Sequence, residues 1–426
     1  MNATIELPIS ALGVGRAEIS ATQARWALIP LRERLSIVHE LRHLIAENAD
    51  ALATAAAAVS DRPLAEKLAS EVLPLADACR WLERNAARVL VPRRCGSRGR
   101  PFWMTGVSFE VQRQPFGNVL VIGPGNYPLF LAAVHTLHAI IAGNAVLLKP
   151  APGTRAVALA FARLAIEAGL DPALLTILPE TVEAARDAII SGVDMVIFTG
   201  SSENGREVLA LLAETNTPSI MELSGEDAVI VLADADLDLV TRALRFGRRL
   251  NDGRTCIAPR RLIVDESVAE ILLTRLDAAG IPRLMIERVC GEKAALLCAN
   301  DSDFALGASI FSRDLVKACS LAAQIKTGFV LINDLITPTA DPRMPFGGVR
   351  ASGFGITRGD EGLLEMTHPH VVAIRRGRLH PHLDQPAPDD AHLFTAYIRA
   401  AHGRSRLAAI PALLRALIVK SKFTKS

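Results

Sequence analysis

From Gly117 onward, short apolar runs alternate with helix-patterned segments, and this alternation restricts the fold more than any other property of the chain. NVLVIG, NAVLLKP, LLTILP and DMVIFTG read as strands closed by Gly or Pro, while LFLAAVHTLHAIIAG and TRAVALAFARLAIEAG read as helices. Short buried strands separated by helices predict βαβ units and a parallel sheet, hence an α/β fold. A second αβ-rich region runs from about Asp227 to Glu365. Ahead of both, residues 17–92 are rich in Ala and Leu at helical spacing and predict two to four amphipathic helices. RRCGSRGRP (93–101) breaks that pattern, and FWMTGVSFEVQRQP after it predicts one or two strands of a hairpin arm.

A chain of 426 residues buries a large core and suggests two or three domains. The net charge of +2 and an aromatic content of 4% argue against nucleic acid as a partner, since neither a basic field nor a stacking surface is supplied. Of the cysteines, Cys79, Cys95, Cys256, Cys290, Cys298 and Cys319, none forms a CxxC pair, and no His cluster has ligand spacing, so no metal is expected. The opening MNATIELPIS lacks a charged stretch followed by an apolar one, and the expectation is a reducing, cytoplasmic setting in which thiols stay free. Cys79, Cys290, Cys298 and Cys319 sit in apolar contexts and are expected in the core.

Cys256 differs. In NDGRTCIAP it follows a polar, Gly-containing loop, where a thiolate nucleophile is accessible and Arg254 would favour its charge; the competing reading is a small buried hydrophobe. GPGNYP (123–128) places Asn126 at the C-terminal edge of a strand, suited to donating to an oxyanion or, alternatively, to stabilising its own turn. Lys149 ends the next strand and suits a ribose or phosphate, as it suits plain solvent exposure. FTGSSENGREV (198–208) is a strand, a turn and a helix start, a seat for a pyrophosphate without being a GxGxxG fingerprint. Glu222 in MELSGEDAVIV is either a general base with a raised pKa or a solvated carboxylate. PFGGVRASGFG (345–355) holds four glycines and implies close backbone approach, in a tight loop or a substrate-site wall.

The order GPGNYP, LLKP, FTGSSENG, ELSGE, NDGRTC and PFGG with SGFG resembles the aldehyde dehydrogenase superfamily over roughly residues 20–375. The resemblance implies a Rossmann-type parallel-sheet cofactor domain at 1–96 and 115–225, and a shortened α/β catalytic domain at 226–365. It also implies a small β oligomerisation arm from 97–114 and 370–376, and thus a homo-oligomer. Carried over by motif, Cys256 is the nucleophile, Glu222 the general base, and Asn126 with the Cys256 N–H the oxyanion hole. Pro124, Lys149, Gly200 and Ser201 match positions that contact NAD or NADP, and Phe346 one near both cofactor and catalytic pocket. The implied reaction oxidises a small-molecule aldehyde to an acid through a thiohemiacetal and a thioester. Retention of Glu222 favours hydrolysis over the CoA-acylating or reductive alternative. A catalytically impaired member acting as a binding protein is the reading from another class.

Three departures from the family pattern bear on these expectations. KPAP (149–152) puts Pro152 where the family has the Glu that binds the adenosine ribose, which makes NADP more acceptable. The E-x-F-G-P segment between the cysteine and PFGG is missing from a shortened region, leaving Glu287 or Glu292 as substitutes for its carboxylate. Gly125 stands where many members carry Trp, widening the pocket beside Asn126. The basic tail, 377–426, lies outside the pattern; its RSRLAAIPALLRALIVKSKFTKS (404–426) is too short to span a bilayer. It suits peripheral contact with an anionic membrane, and with it a long-chain or terpenoid aldehyde, or else docking on its own protein.

Overall fold

In a computed structural model, residues 15–423 are described apart from 59, 61, 282, 283, 378, 379, 384, 386, 388 and 389. Two parallel sheets dominate. The first contains β1 (Asn118–Ile122), β2 (Ala145–Lys149), β3 (Leu175–Ile177), β4 (Met195–Thr199) and β5 (Ser219–Glu222). The second contains β6 (Ala228–Val231), β7 (Arg261–Asp265), β8 (Met285–Val289), β9 (Gly307–Phe311) and β10 (Phe329–Ile332). A short strand, β11 (Gly353–Phe354), returns to the first sheet and pairs antiparallel with β5, Gly353 opposite Glu222. The first sheet runs β11-β5-β4-β1-β2-β3 and the second β8-β7-β6-β9-β10.

Because both faces are covered, as parallel sheets require, the central strands are apolar except at their ends, where Asn118 opens β1, Lys149 closes β2 and Thr199 closes β4. All five residues of β1 and of β4 are buried. Helix Phe130–Ala142 is likewise buried on all sides and stops at Gly143, whose φ of 107° supplies the left-handed cap. Helices Leu31–Glu47, Ala49–Ala57 and Leu73–Val89 pack with it through Leu41, Ile45, Leu52, Leu75 and Leu82 in one core. The arm begins with a single turn of 3-10 helix at Phe102–Met104, followed by one strand, Val107–Pro115.

Both parallel sheets fall in one compact unit, up to Arg94 and from Glu110 to Val372. The other unit combines Cys95–Phe109 with the chain from Ala373 on. Its tail forms two mutually packed helices, Asp390–His402 and Arg406–Phe423, where the sequence suggested only the second. Among the described residues no helix is long and apolar enough to cross a membrane. Two cysteines expected in the core, Cys290 and Cys319, are exposed, and Cys298 is only partly covered. They lie at or near the ends of surface helices whose buried stripe falls on other residues, Ala295 in one and Ala318 and Leu321 in the other.

Candidate active site

The C-terminal ends of β1, β2 and β4 open onto a cleft of about 400 Å³, the position where parallel sheets bind ligands. Pro124, Asn126, Lys149, Gly200 and Ser201 line it, together with Pro152. A Cβ at Gly200 would meet the end of the Phe198 ring at 2.6 Å, so a larger residue would require that ring to shift. Ser201 caps helix Ser202–Thr215, its hydroxyl accepting from the Asn204 N–H, so that the positive end of the helix dipole borders the cleft. Lys149 is buried and its ammonium makes no hydrogen bond or ion pair among the described residues; desolvation lowers its pKa. The Thr199 hydroxyl is buried without a partner. A cation and an orphaned hydroxyl beside a capped helix start fit a nucleotide carrying phosphates.

The cysteine loop meets the cleft at its inner end. Asn251, Asp252 and Gly253 all have left-handed φ values, 50°, 53° and 68°, which these three residue types adopt at least cost. The loop is pinned from two sides. The Asn251 N–H donates to Glu66 (2.9 Å) and the Asn251 amide donates to the Asn126 carbonyl (2.8 Å). The Asn126 amide in turn donates one hydrogen to the Arg254 carbonyl (3.0 Å), leaving its second free, and Tyr127 shares a 2.6 Å hydrogen bond with Thr255. Cys256 follows directly, partly covered, on the turn closed by the Ala258 N–H to the Thr255 carbonyl.

A second cavity, about 490 Å³, lies on the other side of the Cys256 side chain. Its wall is largely apolar, with Tyr127, Phe130, Phe246, Ile257, Ile336 and Phe346 among its residues. Leu131, Glu222 and Cys256 line both cavities.

Glu222, the last residue of β5, is buried, and neither carboxylate oxygen is hydrogen-bonded among the described residues. Burial raises its pKa to about 7, against the lowering influence of Arg358. His135 approaches it at 3.9 Å, but burial lowers the histidine to about 3, so the imidazole is neutral and the contact is not an ion pair. The Cys256 thiol is pushed up by burial and by the Glu222 and Asp227 carboxylates; Arg358 opposes that shift. The expectation that Arg254 supplies this favourable charge is therefore corrected: Arg254 lines the nucleotide cleft, and the cation acting on the thiol is Arg358.

Other expected residues fall as follows. Phe346 lines the apolar cavity rather than the nucleotide cleft and packs on Phe329, ring centroids 5.3 Å apart. Gly125 lines the cleft, where a Cβ would meet nothing closer than Ala151 at 3.5 Å. Glu287 is held by Arg261 (2.8 Å) and Glu292 by Lys317 (3.0 Å), and neither lines the cleft. The glycine-rich segment brings backbone against backbone: Gly353 has φ 102°, and a Cβ there would sit 1.8 Å from the Met221 carbonyl, beside Glu222.

Sequence reasoning missed Arg358 and Glu71. The buried Glu71 carboxylate accepts from the N–H groups of Leu129 and Phe130 and from Lys67 (3.0 Å), fixing the start of the helix that follows Asn126. The only hint of Arg358 was a cation three residues beyond SGFG.

Comparison with known proteins agrees with this geometry. The chain matches the aldehyde dehydrogenase family over residues 15–280 and 281–372. The two stretches abut just before β8, in the region where the E-x-F-G-P segment is missing. A 4,4'-diapolycopene aldehyde oxidase of Methylomonas is 29% identical, over 83% of this chain and 80% of that protein. An NADP/NAD-dependent aldehyde dehydrogenase of Escherichia coli is 26% identical, over 82% and 84%. Among solved structures, an aldehyde dehydrogenase from Brucella melitensis biovar abortus superimposes with a TM-score of 0.79 at 24% identity, over 87% of this chain and 90% of that one.

Proposed function

Because the chain belongs to the aldehyde dehydrogenase family, whose members oxidise aldehydes with NAD or NADP, we propose that Cys256 is its nucleophile, Glu222 its general base and Asn126 its oxyanion donor. One observation carries this assignment: Cys256 and Glu222 stand on the wall common to a polar, nucleotide-sized cleft and an apolar cavity. A redox cofactor and an aldehyde brought from the two sides would meet there.

In the first step the Cys256 thiolate adds to the aldehyde carbon. The new C–S bond leaves a negative oxygen, which accepts hydrogen bonds from the Cys256 N–H and the free Asn126 amide hydrogen. When bound, the nicotinamide cofactor supplies the hydride acceptor that turns the thiohemiacetal into a thioester. Glu222, as carboxylate, then takes a proton from the attacking water; the acid departs and the thiolate is restored. Lys149, Gly200, Ser201 and Pro124 would hold the cofactor. Without a carboxylate at Pro152, the cleft tolerates a 2′-phosphate and so accepts NADP as well as NAD.

The apolar cavity favours a long, apolar aldehyde, in keeping with the relative named for 4,4'-diapolycopene aldehyde. The tail extends this reading. From 391 to 426 the chain has no Asp or Glu but includes Arg399, Arg404, Arg406 and Arg415, with Phe394, Ile398, Leu407 and Leu414 exposed. A basic surface bearing apolar side chains suits peripheral docking on anionic lipid, where such substrates partition. We further propose a cytoplasmic homo-oligomer that pairs through the arm, whose strand Thr367–Arg375 leaves Val371, Val372 and Ile374 exposed.

The test is turnover with an aldehyde panel of increasing chain length and either NAD+ or NADP+, read as absorbance of the reduced cofactor, for wild type, Cys256→Ala and Glu222→Gln. Turnover favouring long apolar aldehydes and lost in both variants supports the assignment. Unaltered turnover in Cys256→Ala ends it. Deleting residues 404–426 and finding the same sedimentation with anionic vesicles removes the docking role.

A further inference from the structure

Arg358 is buried in the wall of the apolar cavity, in the same lining as Cys256 and Glu222. Its guanidinium lies 4.3 Å from the centroid of the Phe346 ring and 5.8 Å from that of Phe130. One Nη donates to the Thr339 carbonyl, while Nε is buried without a partner. Among the described residues no carboxylate comes within ion-pairing distance of it. An isolated buried charge is costly, and aromatic faces offset only part of that cost. Such a group is retained where its charge acts on something nearby.

The groups facing it are few. Glu222 approaches from the end of β5 and Cys256 from its turn; Asp227, just ahead of β6, accepts from the Gly307 N–H (3.3 Å) and acts on the Cys256 thiol rather than on the guanidinium. His135 and His138, on the helix after Asn126, are neutral because burial lowers both. The thiol therefore faces two carboxylates and one cation. We propose that Arg358 is a positioning residue for the reaction, the countercharge that holds Cys256 as thiolate and Glu222 as carboxylate within an otherwise apolar wall. Phe346 and the Thr339 carbonyl hold the guanidinium in place, which gives Phe346 a supporting role rather than contact with the nucleotide.

This inference rests on Cys256 being the nucleophile, and its test does not depend on turnover. The full-length protein without cofactor is treated with iodoacetamide across pH 6 to 9.5, and modification at Cys256 is followed by peptide mass. Arg358→Met is expected to slow alkylation at pH 8 by about tenfold and to move the profile upward by a pH unit or more, as loss of a single nearby cation would. Arg358→Lys should recover the wild-type rate to within about threefold. If the methionine variant does not fold, as judged by thermal unfolding, Arg358→Gln keeps a donor for Thr339 and takes its place. A wild-type profile in the folded uncharged variant overturns the proposal. So does an unchanged profile joined to a KM increase confined to aldehydes bearing a carboxylate, which would make Arg358 a substrate ligand. Full turnover in Cys256→Ala would remove the nucleophile assignment itself, a distinct outcome.

Discussion

The nucleotide cleft and the apolar cavity share Cys256 and Glu222 but are built on opposite principles. The cleft is made of strand ends and turns, in which backbone shape and a few polar groups set the surface. The cavity is made of side chains from distant parts of the chain, among them Ala69, Phe130, Phe246, Ile336 and Arg358. On the proposed assignment, the cofactor would be held where the backbone dictates geometry, and the aldehyde would be selected where side chains can change singly. That division predicts different losses for substitutions on the shared wall, in the cleft and in the cavity.

The strongest break is on the shared wall. Cys256→Ala should reduce kcat by roughly 10⁴-fold or more while cofactor binding, followed by fluorescence titration, stays near wild type. Glu222→Gln should cost roughly 10² to 10⁴-fold in steady-state turnover and leave a burst of reduced cofactor in stopped-flow traces. Asn126→Ala should lower kcat by roughly 10² to 10³-fold; a change confined to KM would contradict its role as oxyanion donor. In the cleft, Lys149→Ala should raise KM for the cofactor by about tenfold, the scale of one charged hydrogen bond, with aldehyde KM unaltered. An equal effect on aldehyde KM would dissolve the separation between the two regions.

Glu222 also links the wall to pH. A general base must be ionised, so turnover should rise as pH passes through about 7, the value to which burial raises this carboxyl. Stability should move the other way. With its folded pKa raised, Glu222 contributes stability that is fully present below the unfolded value near 4.5 and lost as pH rises through about 7. The loss is roughly 3 kcal/mol on the usual conversion. Denaturation of Glu222→Gln beside wild type should therefore diverge in favour of the variant between those pH values and run parallel above them.

The contrast between the regions also explains what was legible in the sequence. Short, mainly apolar strands and the Asn251-Asp252-Gly253 turn obey local rules, so the sheets, the cysteine loop and the ends of β1, β2 and β4 could be read from short segments. Glu222 was legible only as a carboxylate beside Leu-Ser-Gly and ahead of an apolar strand; that it ends a strand of its own, Ser219–Glu222, was not. Arg358 was not, because its meaning depends on Phe346, Thr339 and Glu222 arriving around it from other elements. The exposure of Cys290 and Cys319 was misjudged for a related reason: a local apolar context does not tell which side of a helix meets the sheet.

The two cavities have only Leu131, Glu222 and Cys256 in common, so a molecule filling one leaves the rest of the other's lining uncovered. Exchange on the two sides should then be independent. A bulky apolar acid lingering in its cavity would not trap the spent nucleotide, and the acid should inhibit noncompetitively against the dinucleotide. A slow, lipid-like product would then limit the aldehyde side alone.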